Sequence, residues 1–411
     1  MEYRFADCVL DLRRHRLTRT QGDVHVEPQV FALLELLVRC ADRIVTRDQI
    51  IDHVWQGRIV SEATISARIS AARAAVGDDG RRQAVIRTVN RVGLEMAVPV
   101  ECQEDEGDGA VGLPPPDVQD IPEIRMASSA DGSGIAWQVS GEGPVLLRAG
   151  HWLSHLELDW SSPVWRPLIH RLGQGRRLLQ YDQRGTGLSE RDCGALTLQG
   201  FVEDMAAVLD AAGVERAAIF AVSQSVPVAL AFAARHPERV SALVLVSGFV
   251  QGSLLRDKAR SESMTDTFLS LIQGGWGHPD SAFMTAFSSL FMPEGTPEQI
   301  DSFIEMQLQS ATPQRAVELR QAIGMFDVSG ELDKVRCPVL VGHGRRDAVQ
   351  PFDQGQKLAQ GLPDARFFAF DSPNHIALPQ DAGWQAMMSA VDRFLATQSG
   401  NGTGNRAARG Q

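Results

Sequence analysis

The stretch Ala217-Ala-Ile-Phe-Ala-Val-Ser-Gln-Ser-Val-Pro-Val-Ala-Leu230 decides the fold of most of this chain. A short apolar run, Ala217 to Val222, leads directly into the helical pattern Val228 to Ala234, and Ser223 stands between them with Ala221 and Ser225 two residues away on either side. A strand that turns at once into a helix leaves room only for small side chains at those two flanking places. Pro227 falls in the first turn of the helix, where its missing N–H costs little. The pattern predicts a tight strand-to-helix turn that presents the Ser223 hydroxyl as a nucleophile.

Outward from that turn, between Ile124 and Gln398, short apolar runs alternate with amphipathic helical patterns: Val145 to Leu147, Arg177 to Tyr181, Ala242 to Val246, Pro338 to Val341 and Ala365 to Phe370. Such alternation predicts a mostly parallel sheet covered by helices. From about Phe249 to Leu332 the rhythm gives way to helices rich in Met and Phe, which predicts an inserted helical lid. Met264, Trp276 and Met325 are its candidates for lining an apolar pocket, together with His151 from outside the lid. Two further polar residues follow strands. Asp347 closes Gly342-His343-Gly344-Arg345-Arg346-Asp347, and His375 closes Ser372-Pro373-Asn374-His375, so both lie with Ser223 at strand carboxyl ends.

The order Ser223, Asp347, His375 resembles that of the α/β-hydrolase family. The resemblance spans about Ile124 to Gln398, and Asp182-Gln-Arg-Gly-Thr-Gly-Leu-Ser189 and His236-Pro-Glu-Arg-Val240 support it as loop-positioning signatures. It implies that Ser223 is a nucleophile, His375 its base and Asp347 the group orienting His375. It also implies that the Gln224 N–H is one oxyanion donor. The second donor is expected in Ala149-Gly150-His151-Trp152, from the Trp152 N–H, with His151 as runner-up. A serine nucleophile argues against the branches of this fold that attack with Asp. His151 and His155 share a helical spacing but lack a third ligand, so no metal is expected.

Residues 1–100 read differently. Pro28 to Cys40 predicts a helix with Val30, Phe31, Leu33, Leu34, Leu37 and Val38 inward, and Thr46 to Gln49 forms a capping box ahead of Ile50, Ile51, Val54 and Trp55. Ser61 caps a third helix, through Val76, that turns Ile65, Ile69, Ala72 and Val76 inward. Ala63, Ala67, Ser70 and Ala74 then face outward, with Thr64, Arg68 and Arg73 on the flanks. Val85 to Val89 and Leu94 to Val98 predict a hairpin around Asn90, Arg91 and Gly93. Glu27-Pro28, Thr46-Arg-Asp-Gln49, Val54-Trp55, Ile69-Ser70 with Arg73, and Ile86-Arg-Thr-Val89 with Gly93 resemble the OmpR/PhoB-type winged-helix domain (α+β). The resemblance implies that the third helix enters the major groove of double-stranded DNA and that the wing meets the backbone or minor groove, with Thr64, Arg68, Arg73, Arg87 and Arg91 as contacts. Two departures stand out: Leu94 replaces the usual aromatic, and the outward helix face is rich in alanine.

Composition agrees with a division of labour. The 411-residue chain carries a net charge of −11, yet residues 1–100 hold 15 Arg against 13 acidic residues, a net of +2, leaving −13 for the remainder. A polyanion is thereby steered toward the first hundred residues. Glu101 to Glu123, with Pro114 to Pro116, predicts an acidic linker, and residues 399–411 a glycine-rich tail. The cysteines Cys8, Cys40, Cys102, Cys193 and Cys337 follow no disulfide or zinc spacing. No apolar run reaches membrane-spanning length, and neither a signal-peptide pattern nor a receiver segment precedes the winged helix in this sequence. The expectation is a cytoplasmic protein without a cofactor, in which the carboxyl-terminal domain supplies the signal. Two readings stay open: a transcriptional regulator that senses, and in one version hydrolyses, a small ester- or lactone-like molecule, or a serine hydrolase with an accessory winged helix. A homodimer on paired half-sites is expected, and RNA polymerase is a further candidate partner.

Overall fold

The computed structural model describes residues 2–12, 16–20, 22–24, 26–41, 43–55, 60–89, 92–103, 121–256, 272, 274–276 and 281–400. They fall into two compact units, Met1–Asp108 and Gly109–Gln411. Among the described residues, no helix is long and apolar enough to cross a membrane.

In the first unit, β1 (Glu2–Phe5), β2 (Cys8–Asp11), β3 (Arg16–Arg19) and β4 (Gly22–Val24) form an antiparallel sheet that the sequence patterns did not predict. Helices α1 (Pro28–Arg39), α2 (Arg47–Trp55) and α3 (Glu62–Ala75) follow, with α1 packed on both of the others. The predicted caps are present. The Gln49 N–H donates to Thr46 Oγ1 at 3.3 Å, the Thr46 N–H to Gln49 Oε1 at 2.9 Å, and the Thr64 N–H to Ser61 Oγ at 3.2 Å. A small sheet of β5 (Val45–Thr46), β6 (Ile86–Val89) and β7 (Gly93–Met96) holds the wing. Gly93 is required there, because a Cβ would lie 1.9 Å from the Val45 carbonyl oxygen. The last strand, β8 (Val100–Gln103), pairs with β1. It takes Glu101 to Gln103 out of the expected linker, since backbone pairing gives these residues partners that their charge did not foretell.

Beyond α3, the Asp78 carboxylate joins the helix to the hairpin. It accepts from the N–H groups of Asp79, Ala84, Val85 and Ile86 at 2.8–3.0 Å. Burial raises its pKa, but the backbone N–H groups outweigh that and hold the carboxyl down at about 2.

The second unit is built on eight strands: β9 (Arg125–Ser128), β10 (Gly134–Ser140), β11 (Val145–Arg148), β12 (Arg177–Tyr181), β13 (Ala217–Val222), β14 (Val240–Val246), β15 (Val339–Gly344) and β16 (Ala365–Phe370). Their order is β16-β15-β14-β13-β11-β12-β10-β9, with β11 to β16 parallel and β10 and β9 antiparallel at one edge. The apolar runs form the parallel strands because they are buried along their length; Val240 to Val246 has only Ser241 part-exposed. Helices α4 (Arg166–Gly173), α5 (Leu198–Ala211) and α6 (Ser225–Arg235) pack on the sheet. Between β14 and β15 the chain forms α7 (Ala282–Phe291), α8 (Pro297–Ser310) and α9 (Pro313–Gly324), the helical insertion expected as a lid. Helices α10 (Phe352–Gly361) and α11 (Trp384–Gly400) complete the unit.

The strand order places the site. From β11 the chain moves outward to β12, then returns to lay β13 on the other side of β11. Loops leaving the carboxyl ends of β11 and β13 therefore diverge and open a crevice between them.

Removing the Asp78 carboxylate strands several N–H groups at once. Asp78→Ala is expected to cost the first unit about 3 kcal/mol. Hydrogen exchange should show it as faster exchange confined to residues 79–89, with Asp78→Asn intermediate.

Candidate active site and DNA-facing helix

Ser223 follows β13 with φ +55°, a left-handed conformation that non-glycine residues rarely adopt. Its own N–H donates to the Val246 carbonyl at 2.9 Å, tying the turn to the neighbouring strand. The hydroxyl of Ser225, wholly buried, accepts from the Val222 N–H at 2.9 Å and donates to the Val222 carbonyl at 2.8 Å. That side chain is therefore a brace of the turn, while Ser223 lines the cavity described next.

Ser223 and His375 line one small cavity that opens to solvent, together with His151, Trp152, Trp165, Val222, Phe291, Phe303 and Ile376. His375 Nδ1 lies 3.0 and 2.9 Å from the two carboxylate oxygens of Asp347. Among the described residues its buried Nε2 has no hydrogen-bond partner. Asp347 Oδ1 also accepts from the N–H groups of Val349 and Gln350, both at 2.9 Å. Burial raises the Asp347 pKa, but the His375 ring and these N–H groups outweigh it and keep the carboxyl below the usual range. An ionised acceptor on Nδ1 leaves Nε2 as the ring's proton-accepting nitrogen. Gln224 stands just ahead of α6, whose first N–H groups have no acceptors within the helix.

The lid contributes more than walls. The Phe291 carbonyl accepts from the N–H groups of His375 at 2.9 Å and Ile376 at 3.2 Å, and Asn374 Oδ1 accepts from the Glu294 N–H at 2.9 Å. Arg256 Nη1 donates to Gln350 Oε1 at 3.0 Å, and the Trp152 indole N–H to Gln307 Oε1 at 3.4 Å. Lid residues thus bond to the loops that carry His375, Asp347 and Trp152.

Of the pocket residues expected from sequence, His151 lines the cavity. Trp276 does not. Its buried indole donates to the Ala311 carbonyl at 3.1 Å and packs on Phe287, inside the lid's own core. Met325 is 56 % exposed, because it caps the end of α9 and turns away from the helix's buried side. Met264 lies outside the described residues. The sequence reading missed Phe291, Phe303, Trp165 and Ile376, whose convergence is tertiary. It also missed His343, which is buried beside Asp347 with its Nε2 3.0 Å from the Gln350 carbonyl.

The signature Asp182 to Ser189 is structural, as expected. Asp182 Oδ2 accepts from the Leu156 and Leu188 N–H groups at 3.1 and 2.9 Å, and Arg184 is buried against Asp204 and Asp131.

On α3 the exposed residues are Ala63, Ser66, Ala67, Ser70 and Ala74, with Thr64 and Arg68 half-buried. Arg68 is paired with Glu27, and the exposed Arg87 with Glu95. Arg73 is a correction. It is buried, and its guanidinium donates to the Ile86 carbonyl at 3.0 Å and Thr88 Oγ1 at 2.7 Å, so it fastens α3 to the hairpin instead of facing DNA. Arg91 lies outside the described residues.

Comparison with known proteins agrees with both units. The family described as "alpha/beta hydrolase fold" matches residues 150–382, more than half of the chain, and "Transcriptional regulatory protein, C terminal" matches residues 21–95. The chain belongs to the α/β-hydrolase fold family, and an OmpR/PhoB-type winged-helix domain is joined to it. Over 250 residues it is 31 % identical to a protein of Azorhizobium caulinodans named "Putative carbamate hydrolase RutD", covering 59 % of this chain and 88 % of that one. It is 29 % identical over 296 residues to 2-hydroxymuconate semialdehyde hydrolase of Pseudomonas putida, covering 68 % and 96 %. Among solved structures, the esterase RhEst1 of Rhodococcus sp. superposes with a TM-score of 0.53 at 24 % identity, over 67 % of this chain and 99 % of that one.

Because Ser225 satisfies both polar groups of Val222, Ser225→Ala is expected to destabilise the second unit by about 1–3 kcal/mol. Thermal unfolding followed by tryptophan fluorescence measures it, and an unchanged transition would show that the brace is dispensable.

Proposed function

We propose that this protein is a DNA-binding transcriptional regulator whose α/β-hydrolase domain binds, and can attack, a small ester- or lactone-like molecule. The observation that carries the reading is the small, mostly apolar cavity lined by both Ser223 and His375, in a chain that begins with a winged helix. In this reading Ser223 Oγ is the nucleophile and His375 Nε2 takes its proton. Asp347 orients the ring and stabilises its charged form, and the N–H groups of Gln224 and Trp152 receive the developing oxyanion. Among the described residues the lining offers no charged partner for a ligand's acyl side, which favours a short uncharged group. Hydrolase activity without regulation is the second reading, favoured by the intact Asp347–His375 pair.

For regulation, ligand must bind one arrangement of the protein better than another, since equal affinity shifts nothing. The lid's bonds to the cavity loops give it a way to respond to an occupant. We assign the coupling to dimer geometry: a reshaped lid changes how two hydrolase domains pair, and so the spacing of two winged helices on half-sites. Coupling through the dimer requires that ligand alter affinity for two half-sites and leave a single half-site unaffected.

A fluorophosphonate probe should label Ser223 in the full-length protein. His375→Ala should lower the labelling rate by at least 10²-fold, since an unactivated hydroxyl is a weak nucleophile at neutral pH. Labelling that persists in Ser223→Ala would refute the assignment. Mass spectrometry of molecules that copurify with Ser223→Ala would identify the ligand class.

On the DNA side, the Arg68–Glu27 and Arg87–Glu95 pairs lie at the surface, where an ion pair contributes about 0–1 kcal/mol, so phosphate can displace the acid. Arg68→Gln with Arg87→Gln should reduce the slope of log affinity against log salt on random-sequence duplex by roughly 2. An unchanged slope would move the docking face elsewhere.

A further inference from the structure

Arg148, the last residue of β11, is a cation buried at the base of the cavity loop. Its Nη1 donates to Asp159 Oδ2 at 2.6 Å, its Nη2 meets His151 Nε2 at 2.6 Å, and the guanidinium lies 4.9 Å from the centre of the Trp165 ring. His151 packs on the same indole at 4.1 Å, and its Nδ1 lies 3.0 Å from the Trp152 carbonyl oxygen. A guanidinium can only donate, so Nε2 must be the acceptor. The ring proton is then on Nδ1 and donates to the Trp152 carbonyl. Burial and the neighbouring Arg148 charge both push the His151 pKa down, consistent with a neutral ring.

With both nitrogens engaged, His151 has none left to act as a base or to bind a metal. What it holds is the peptide plane between Trp152 and Leu153. That plane needs holding, since Leu153 is fully buried with φ +46°, a left-handed turn unfavourable to a γ-branched residue. On the far side, the Gln307 bond to the Trp152 indole fixes the side chain of the same residue.

We propose that His151 is a positioning residue for the oxyanion side of the cavity. Supported by Arg148 and Asp159, it holds the Trp152 carbonyl and thereby the Trp152–Leu153 turn, which steadies the adjoining Trp152 N–H in the cavity that Ser223 also lines. This rests on the reading of Ser223 as nucleophile and Trp152 N–H as oxyanion donor. The assignment differs from a structural role in a specific way: loss of His151 should impair attack on a bound electrophile far more than it weakens binding.

The test separates the two in saturation kinetics of fluorophosphonate labelling on the full-length protein. His151→Phe keeps an aromatic ring on Trp165 but cannot bond. The maximal labelling rate should fall by roughly 10²-fold, the size of losing one oxyanion donor, while the half-saturating probe concentration changes less than about threefold. His151→Gln, whose amide carries one donor and one acceptor, should recover most of the rate. Should the Phe variant fail to fold, Arg148→Lys serves in its place, because one ammonium cannot reproduce the planar fork that spans Asp159 and His151, and its maximal rate should fall about tenfold. A wild-type maximal rate in the folded Phe or Lys variant, or an equal loss in Phe and Gln, overturns the proposal and leaves Ser223 as nucleophile. Absence of Ser223 labelling in the wild-type protein overturns the nucleophile reading itself, and this inference with it.

Discussion

The left-handed backbone at Ser223 is the constraint around which the second unit is arranged. An L-residue in this region costs roughly 1–2 kcal/mol, so the turn persists only where its surroundings hold it. Here the Ser223 N–H is bonded to β14, the Ser225 hydroxyl closes the turn on Val222, and the strand on one side and α6 on the other are buried. The conformation lifts the Ser223 side chain out of the sheet at the place where the strand order reverses. The loops after β11, β15 and β16 reach that place from neighbouring strand ends, which is why residues far apart in sequence line one small cavity.

A second dependence runs through the lid. Three separate lid contacts, Phe291 with the His375 loop, Arg256 with the Asp347 loop and Gln307 with Trp152, bind the insertion to the groups that surround Ser223. Two lid phenylalanines also form part of the cavity wall. An occupant large enough to move Phe291 therefore moves an attachment of His375 as well. In an enzyme such attachments tune substrate fit, and in a receptor they convert occupancy into a change of lid shape. The winged-helix domain is what makes the second use the stronger reading here.

Much of this was legible in the sequence, and the exceptions share a cause. The parallel strands announced themselves because buried strands read as unbroken apolar runs, and these runs place Ser223, Asp347 and His375 after strand ends, while their reading as one set came from the resemblance to the α/β-hydrolase family. Strands β1 to β4, β9 and β10 escaped notice. Arg16 to Arg19, for example, is too short and too polar to carry a signal, and becomes a strand only through its neighbours. Arg73 looked like a DNA contact because helical spacing puts it on the flank of α3; its long side chain instead reaches the hairpin, which spacing cannot reveal. Trp276 serves the lid's own packing and Met325 is left exposed at the end of α9, and apolar character alone distinguishes neither from a pocket residue. Arg148 was concealed at the end of the run Val145 to Leu147, where nothing local indicates that Asp159 and His151 fold back to meet it.

The central claim is that the state of the cavity governs the winged helix. The most direct measurement compares the affinity of the full-length protein for a two-half-site DNA before and after stoichiometric fluorophosphonate modification of Ser223, at one fixed salt concentration. The account predicts a change of at least fivefold, absent in Ser223→Ala treated in the same way, since a coupling of 1 kcal/mol or more corresponds to about that factor. Equal affinities before and after complete modification would contradict it and leave a hydrolase whose DNA-binding domain serves another purpose.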